Sequence, residues 1–142
     1  MSDEFVLDSS VALTWFFQDQ ASAETDAILQ KLGAGSRCTV AQHWKLEVTN
    51  VLLGAEHAKK KSPAESTQFL SLLEKLTIEV DSETARLAAS GTLALARKHR
   101  LTSYDAAYLE LATRRGLPLA TLDSDLRKAA KAEGVPILPE KV

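Results

Sequence analysis

The tightest constraint on the fold is an alternation. Short apolar or β-branched runs at Phe5–Asp8, Cys38–Val40, Ile78–Val80, Leu119–Thr121 and Val135–Leu138 are separated by longer stretches with helical patterning. Strands that alternate with helices imply a parallel sheet with helices on both faces. The expected architecture is therefore α/β: a three-layer α/β/α sandwich around a parallel sheet of about five strands. The helical patterns run over Val11–Phe17, Ser22–Leu32, Gln42–Lys60, Ser103–Arg115 and Ser124–Glu133. Two more have marked starts. Ser62 caps a helix with Pro63 at its first position and Glu65 three residues on, running to about Leu76. Ser82 and Glu83 open an alanine-rich helix that runs to about His99. Gly33–Ser36 and Gly116 break the helices before them. With no linker, repeat or low-complexity stretch, residues 1–142 read as one domain.

The single cysteine, Cys38, excludes an internal disulfide. It falls in a buried-strand pattern and reads as a small core residue in a reducing compartment. MSDEF lacks the basic and apolar regions of a signal peptide, and no apolar run approaches the roughly 18 residues of a membrane helix. A cytoplasmic protein without a membrane partner is expected. Net charge is −2, which argues against a simple nucleic-acid-binding module, since these are usually strongly basic. It does not argue against an enzyme that holds acids at its centre and bases around them.

Four acids then stand out. In open parallel sheets, ligands bind beyond the carboxyl ends of the strands, at the switch point. Asp8 ends the first strand and Asp123 follows the fourth. Each also has a structural explanation as a helix cap. Asp105 is harder to explain that way: it lies inside the apolar arc of its helix with Tyr108, Leu109, Leu111 and Ala112, while Glu110 and Arg114 take the opposite, solvated face. Glu47 lies within WKLEVTNVLL, where capping cannot account for it. It flanks a stripe of Trp44, Val48, Val51 and Ala55, with Asn50 and Gly54 on its own side, as in the wall of a cleft. Lys45 is on the far side, so Glu47 has no obvious local partner.

Buried carboxylates must be paired, protonated or bound to a metal. Two of them about 4 Å apart repel by roughly 4 kcal/mol at an effective dielectric of 20. Neither helix offers a Lys or Arg on its inner face. A divalent cation solves the problem, and oxygen-only ligands favour Mg²⁺ or Mn²⁺ over Zn²⁺. His43, His57 and His99 read as surface or packing residues. Trp15, Phe16, Phe17 and Trp44 read as core or interface rather than base-stacking platforms.

Four blocks, VLDSSVALTWFF, LEVTNVLL, LTSYDAAYLELA and LATLDSDLRKAA, span Val6 to Ala130. In order and spacing they resemble the PIN-domain nucleases, and among these the VapC-type toxins of prokaryotic toxin–antitoxin pairs. The resemblance implies a metal-dependent endoribonuclease that acts on RNA and uses Mg²⁺. It carries the catalytic and metal-holding acids onto Asp8, Glu47, Asp105 and Asp123. Ser9, Asn50 and Thr121 match supporting polar positions, and Asp125 is a further acid near the site. A homodimer and a cognate antitoxin are implied as well. The antitoxin would lie beside the apolar hairpin of Phe69, Leu70, Leu72, Leu73 and Leu76. The basic clusters Lys59–Lys61, Arg97–Arg100, Arg114-Arg115 and Arg127-Lys128 are candidate phosphate contacts, most of them explicable as helix-end charges. Three other readings are weighed: a stand-alone PIN nuclease for RNA processing, a receiver-like signalling domain, and a non-catalytic PIN-like binding module.

Overall fold

The computed structural model describes residues 3–141. Five strands, β1 (Phe5–Leu7), β2 (Arg37–Val40), β3 (Thr77–Val80), β4 (Leu119–Ala120) and β5 (Ile137–Leu138), form one sheet in the order β3-β2-β1-β4-β5. Every pairing is parallel. The chain builds outward from β1 to β3, then crosses back to β4 on the other side of β1. The switch point therefore lies between β1 and β4. A receiver-type sheet has the order 2-1-3-4-5, so this strand order removes the signalling-domain reading.

All three residues of β1 are buried, as are Cys38, Thr39 and Val40 of β2. A strand buried at successive positions is covered on both faces, as the sandwich requires. The covering helices are α1 (Ser9–Ala12), α2 (Ala23–Gly33), α3 (Trp44–His57), α4 (Pro63–Glu74), α5 (Thr84–Leu87), α6 (Leu93–His99), α7 (Ser103–Arg115) and α8 (Ser124–Ala132). Ser62 and Glu65 close the expected capping box at the start of α4. Thr102 caps α7, and Gly116, with φ +65°, ends it. Trp15, Phe16 and Trp44 are core residues. Cys38 is 1% exposed, and burial pushes its thiol up to about 12, so it stays an unreactive filler.

Three helices differ from the expected ones. The first gives way to a 3-10 turn at Leu13–Trp15, where the Trp15 indole N–H donates to the Thr25 carbonyl at 3.0 Å and anchors the chain on α2. The third starts two residues late and stops three early. Gln42 instead ties the end of β2 to α5: its N–H donates to Thr84 Oγ1 at 3.2 Å and its Oε1 accepts from the Ala85 N–H at 2.7 Å. At the other end Lys59 sits at φ 59°, and the Lys60 N–H returns to the Ala55 carbonyl at 2.9 Å. That left-handed stop is one glycine usually makes, so a lysine there carries no stop signal. The alanine-rich helix is divided by a π-helical segment at Ala88–Thr92, where a Cβ on Gly91 would stand 3.5 Å from Glu110 Cγ of α7.

Side-chain directions need two corrections. On α3 the buried stripe is Trp44, Val48, Leu52 and Ala55, whereas Val51 faces outward. On α7, Glu110 is buried rather than solvated. The Arg114 guanidinium accounts for this. It donates to both Glu110 oxygens, at 2.8 and 3.0 Å, and to both oxygens of Asp81, at 3.2 and 2.8 Å. Asp81 is fully buried just past β3, with its N–H on the Val40 carbonyl. Arg115 adds a contact of 3.2 Å. Burial alone would raise the Asp81 carboxyl, but hydrogen bonds from Arg114 and Thr84 hold it below its ordinary value. The network pins the edge of the sheet to α7.

Arg114→Met should therefore destabilise the protein by about 2 kcal/mol, because it strands a buried carboxylate that Arg115 only partly compensates. Urea denaturation at pH 7 measures this. The folded pKa of Asp81 is depressed, so its contribution is present above the unfolded value of 3.8 and is lost as the pH falls below it. The gap between variant and wild type should narrow over that range. An unchanged midpoint at pH 7 would mean that the network contributes nothing.

Candidate active site

Strand register brings the first two site residues together. The Asp8 N–H donates to the Ala120 carbonyl at 2.9 Å and the Thr121 N–H to the Leu138 carbonyl at 3.0 Å. Asp8 and Thr121 thus leave adjacent strands side by side at the switch point. The Thr121 hydroxyl donates to Asp8 Oδ2 at 2.7 Å, and Ser10 donates to the same oxygen at 2.7 Å. Ser10 also accepts from the Leu122 N–H at 3.0 Å, and Thr121 Oγ1 accepts from the Asp123 N–H at 3.1 Å. One short chain of hydroxyls thus orients Asp8 and fixes the loop that carries Asp123. Asp123 also caps α8, its Oδ1 accepting from the Leu126 N–H at 3.0 Å.

Glu47 projects from α3 toward the same place. Its Oε1 accepts from the Tyr108 hydroxyl of α7, and from Ser9 at 3.3 Å. His43 Nε2 stands 4.0 Å from that oxygen. Asp105, in the first turn of α7, completes the group. Thr102 caps its N–H, but its carboxylate makes no ion pair among the described residues.

The titration behaviour shows one shared field. Burial pushes the Asp8 carboxyl up, against the hydrogen bonds of Thr121 and Ser10, and the charge of Asp123 pushes it further. Glu47 is raised by burial and by Asp8, opposed by its bond from Tyr108 and by His43. Asp105 is raised to about 6, first by burial, then by the charges of Asp8, Asp123 and Glu47. The Tyr108 phenol is driven far up by burial and by Glu47, so it remains a hydrogen-bond donor. Among the described residues, no Lys or Arg forms an ion pair with any of the four acids, and no three acids stand close enough to hold a metal as they are.

The remaining sequence candidates divide. Ser9 joins β1's end to Glu47. Asn50 is exposed and lines a cleft with Glu47, without a hydrogen bond to the acids. Asp125 is exposed in the first turn of α8, and the structure does not bring it into the group. Gly54 lines a different cleft, with Phe17 and Lys60. Sequence reasoning missed Ser10, Tyr108 and His43. The D-S-S spacing carried a signal for Ser10, because a hydroxyl two residues after Asp commonly bonds back to it. Tyr108 was visible only as an apolar residue on the Asp105 face.

The model of the PIN domain matches residues 5–132. No protein of curated function matches the chain. Among solved structures, the fold is similar to PAE2754 from Pyrobaculum aerophilum, with a TM-score of 0.69 and 21% identity over 96% of this chain and 92% of that one. It is similar to VapBC2 from Rickettsia felis, bound to a DNA fragment from their promoter, with a TM-score of 0.65 and 10% identity over 94% and 96%. It is also similar to a toxin–antitoxin complex from Klebsiella pneumoniae, with a TM-score of 0.56 and 20% identity over 84% and 87%.

Mutual repulsion has a sign that denaturation can read. Asp105 holds its proton to about pH 6 in the folded chain, against 3.8 when unperturbed. Its ionisation therefore weakens the fold as the pH rises through about 6, and the proton-linked stability is complete only below 3.8. In EDTA at pH 7.5, Asp105→Asn should be more stable than wild type by about 1 kcal/mol after allowance for solvent screening. The difference should vanish near pH 4. A variant less stable than wild type at pH 7.5 would show that the acids do not strain the fold.

Proposed function

The chain belongs to the PIN domain family, and from that premise we propose that it is a divalent-metal-dependent endoribonuclease, the toxin of a VapBC-type toxin–antitoxin pair. One observation carries the reading: four acids from distant parts of the chain converge at the switch point of the sheet, and among the described residues no Lys or Arg pairs with them. The donor set consists of hard carboxylate and hydroxyl oxygens without a Cys or His cluster, which suits Mg²⁺ or Mn²⁺. Asp8, Glu47, Asp105 and Asp123 would hold the ion. When bound, it supplies Lewis-acid activation of water and offsets charge on the phosphodiester and its leaving oxygen.

The chain's own residues do the positioning. Ser10 and Thr121 both engage Oδ2 of Asp8 and fix the carboxylate's orientation. Tyr108 and Ser9 do the same for Glu47 through Oε1. Burial raises the Glu47 carboxyl, which strengthens it as an acceptor for a proton from water when it is ionised. Products with a 3′-hydroxyl and a 5′-phosphate follow the family pattern. Phosphate contacts fall to exposed lysines such as Lys59, Lys60 and Lys128, because Arg114 and Arg115 are held by Asp81, and Arg127 binds the Thr121 and Pro139 carbonyls at 2.9 and 2.7 Å.

Likeness in fold to the Rickettsia and Klebsiella complexes supports an antitoxin partner. The antitoxin would meet the expected hairpin through its exposed side chains. Phe69 and Leu73 are core residues, which leaves Leu72 of α4 with Val51 and Leu53 of α3 exposed. A homodimer and a cytoplasmic location belong to the same reading. Among the described residues, no helix is long and apolar enough to cross a membrane.

Incubation of total RNA with wild type and Asp8→Asn, in Mg²⁺ and in EDTA, tests the proposal. Wild type should cut only with Mg²⁺, and Asp8→Asn should be slower by about a hundredfold or more. Equal cutting by both proteins in EDTA would rule out this mechanism.

A further inference from the structure

Next to the acids lies a cleft of different character. It measures about 310 Å³, and its lining includes Gln42, Ala85, Ala88, Thr92, Tyr104 and Ala107. Apart from His43, it has no ionisable side chain besides the Tyr104 phenol. A phosphate or a charged peptide arm finds no counter-charge there. A flat, neutral, polar-edged group fits it.

Four observations mark the cleft as built to receive such a group. Tyr104 is 63% exposed although it is a large aromatic, and it directly precedes Asp105. Its ring is braced edge-on by His43, with centroids 5.5 Å apart, while His43 Nε2 meets the Tyr104 carbonyl at 3.0 Å. Thr92 is 2% exposed, and its Oγ1 has no hydrogen-bond partner among the described residues. A buried hydroxyl without a partner costs stability unless something else uses it. Finally, Ala88 and Thr92 are the two ends of the π-helical segment, a distortion that recurs at functional sites. The amide nitrogen of Gln42 makes no hydrogen bond among the described residues, because its Oε1 alone is engaged, by the Ala85 N–H.

We infer that this cleft is a nucleobase subsite, in which Tyr104 stacks on the base beside the scissile phosphate while Thr92 and Gln42 read the base's polar edge. The inference rests on the nuclease reading above and adds a specificity element to it. Continuity with the acids decides the occupant. Tyr104 and Asp105 are neighbours in the chain, so a strand whose phosphate lies at Asp105 carries its adjoining base toward Tyr104.

The test uses the full chain. On oligoribonucleotides in Mg²⁺, Tyr104→Leu should raise KM about tenfold, the usual scale for loss of one base–aromatic stack. Thr92→Val should be at least as stable as wild type, since its hydroxyl has no bond to lose, but should relax the base preference at one position next to the cut, read by sequencing fragment ends. In a second arm, the four ribonucleoside monophosphates are titrated to 10 mM, on the order of a weak single-base affinity, into Asp8→Asn in EDTA. At least one should shift the methyl NMR signals of Ala85, Ala88 and Ala107, and inorganic phosphate should not. Unmoved methyls, or Tyr104→Leu and Thr92→Val cutting the same sites at the wild-type KM, would overturn the subsite and leave the nuclease intact. Methyls that respond only to an apolar peptide would assign the cleft to a protein partner and also overturn it. Wild type that cuts no RNA in Mg²⁺ would overturn the nuclease reading itself.

Discussion

Repulsion among carboxylates at the carboxyl edge of one parallel sheet is the constraint on which the structure turns. The topology creates it. Strand order β3-β2-β1-β4-β5 puts the end of β1 beside the end of β4, and α3 and α7 bring two more acids to the same corner. No Lys or Arg among the described side chains offsets them. The fold is held despite this charge by hydroxyls: Ser10 and Thr121 on Asp8, Ser9 and Tyr108 on Glu47. Neutral donors fix the geometry of an anion without cancelling its charge. They leave the field available to a dication, which an arginine in their place would not.

The same sheet edge shows the opposite solution a short way off. Asp81 follows β3 much as Asp8 follows β1, and both are buried. Arg114 and Arg115 satisfy Asp81 completely, and its carboxyl is held low. Asp8 has hydroxyls and another acid for company, and its carboxyl is raised. The contrast separates an ion-paired carboxylate from one held only by hydroxyls more clearly than burial does. It also assigns Arg114 and Arg115 to the scaffold.

Much of this was legible in the chain. The five strands, the capping box at Ser62 and the limits of α7 follow from local signals: apolar runs, a Ser-Pro-x-Glu start, a glycine stop. Glu47 and Asp105 drew notice because the helical pattern set them beside or inside an apolar face, while Asp8 and Asp123 stood where caps are ordinary. What failed were the residues whose role depends on a neighbour from elsewhere. Glu110 lies on the polar side of its own helix and is buried because Arg114 turns it toward Asp81. Val51 and Leu52 exchange places because α3 rotates to seat Trp44 and Leu52 in the core. Lys59 ends a helix in a conformation that nothing about lysine announces.

Sequence alone determined the kind of molecule: periodicity and turn chemistry are local, and they specify a parallel α/β sheet with acids at its strand and helix ends. Tertiary structure decided which of those acids share a field. Ser9 and Glu47 are 38 residues apart, and Thr121 and Asp8 are 113 apart. No local pattern encodes contacts at that separation, because they arise only when strand register and helix docking bring the segments together. Whether a buried carboxylate meets arginine or hydroxyl is settled at that step, and with it whether the residue serves as a strut or as a site.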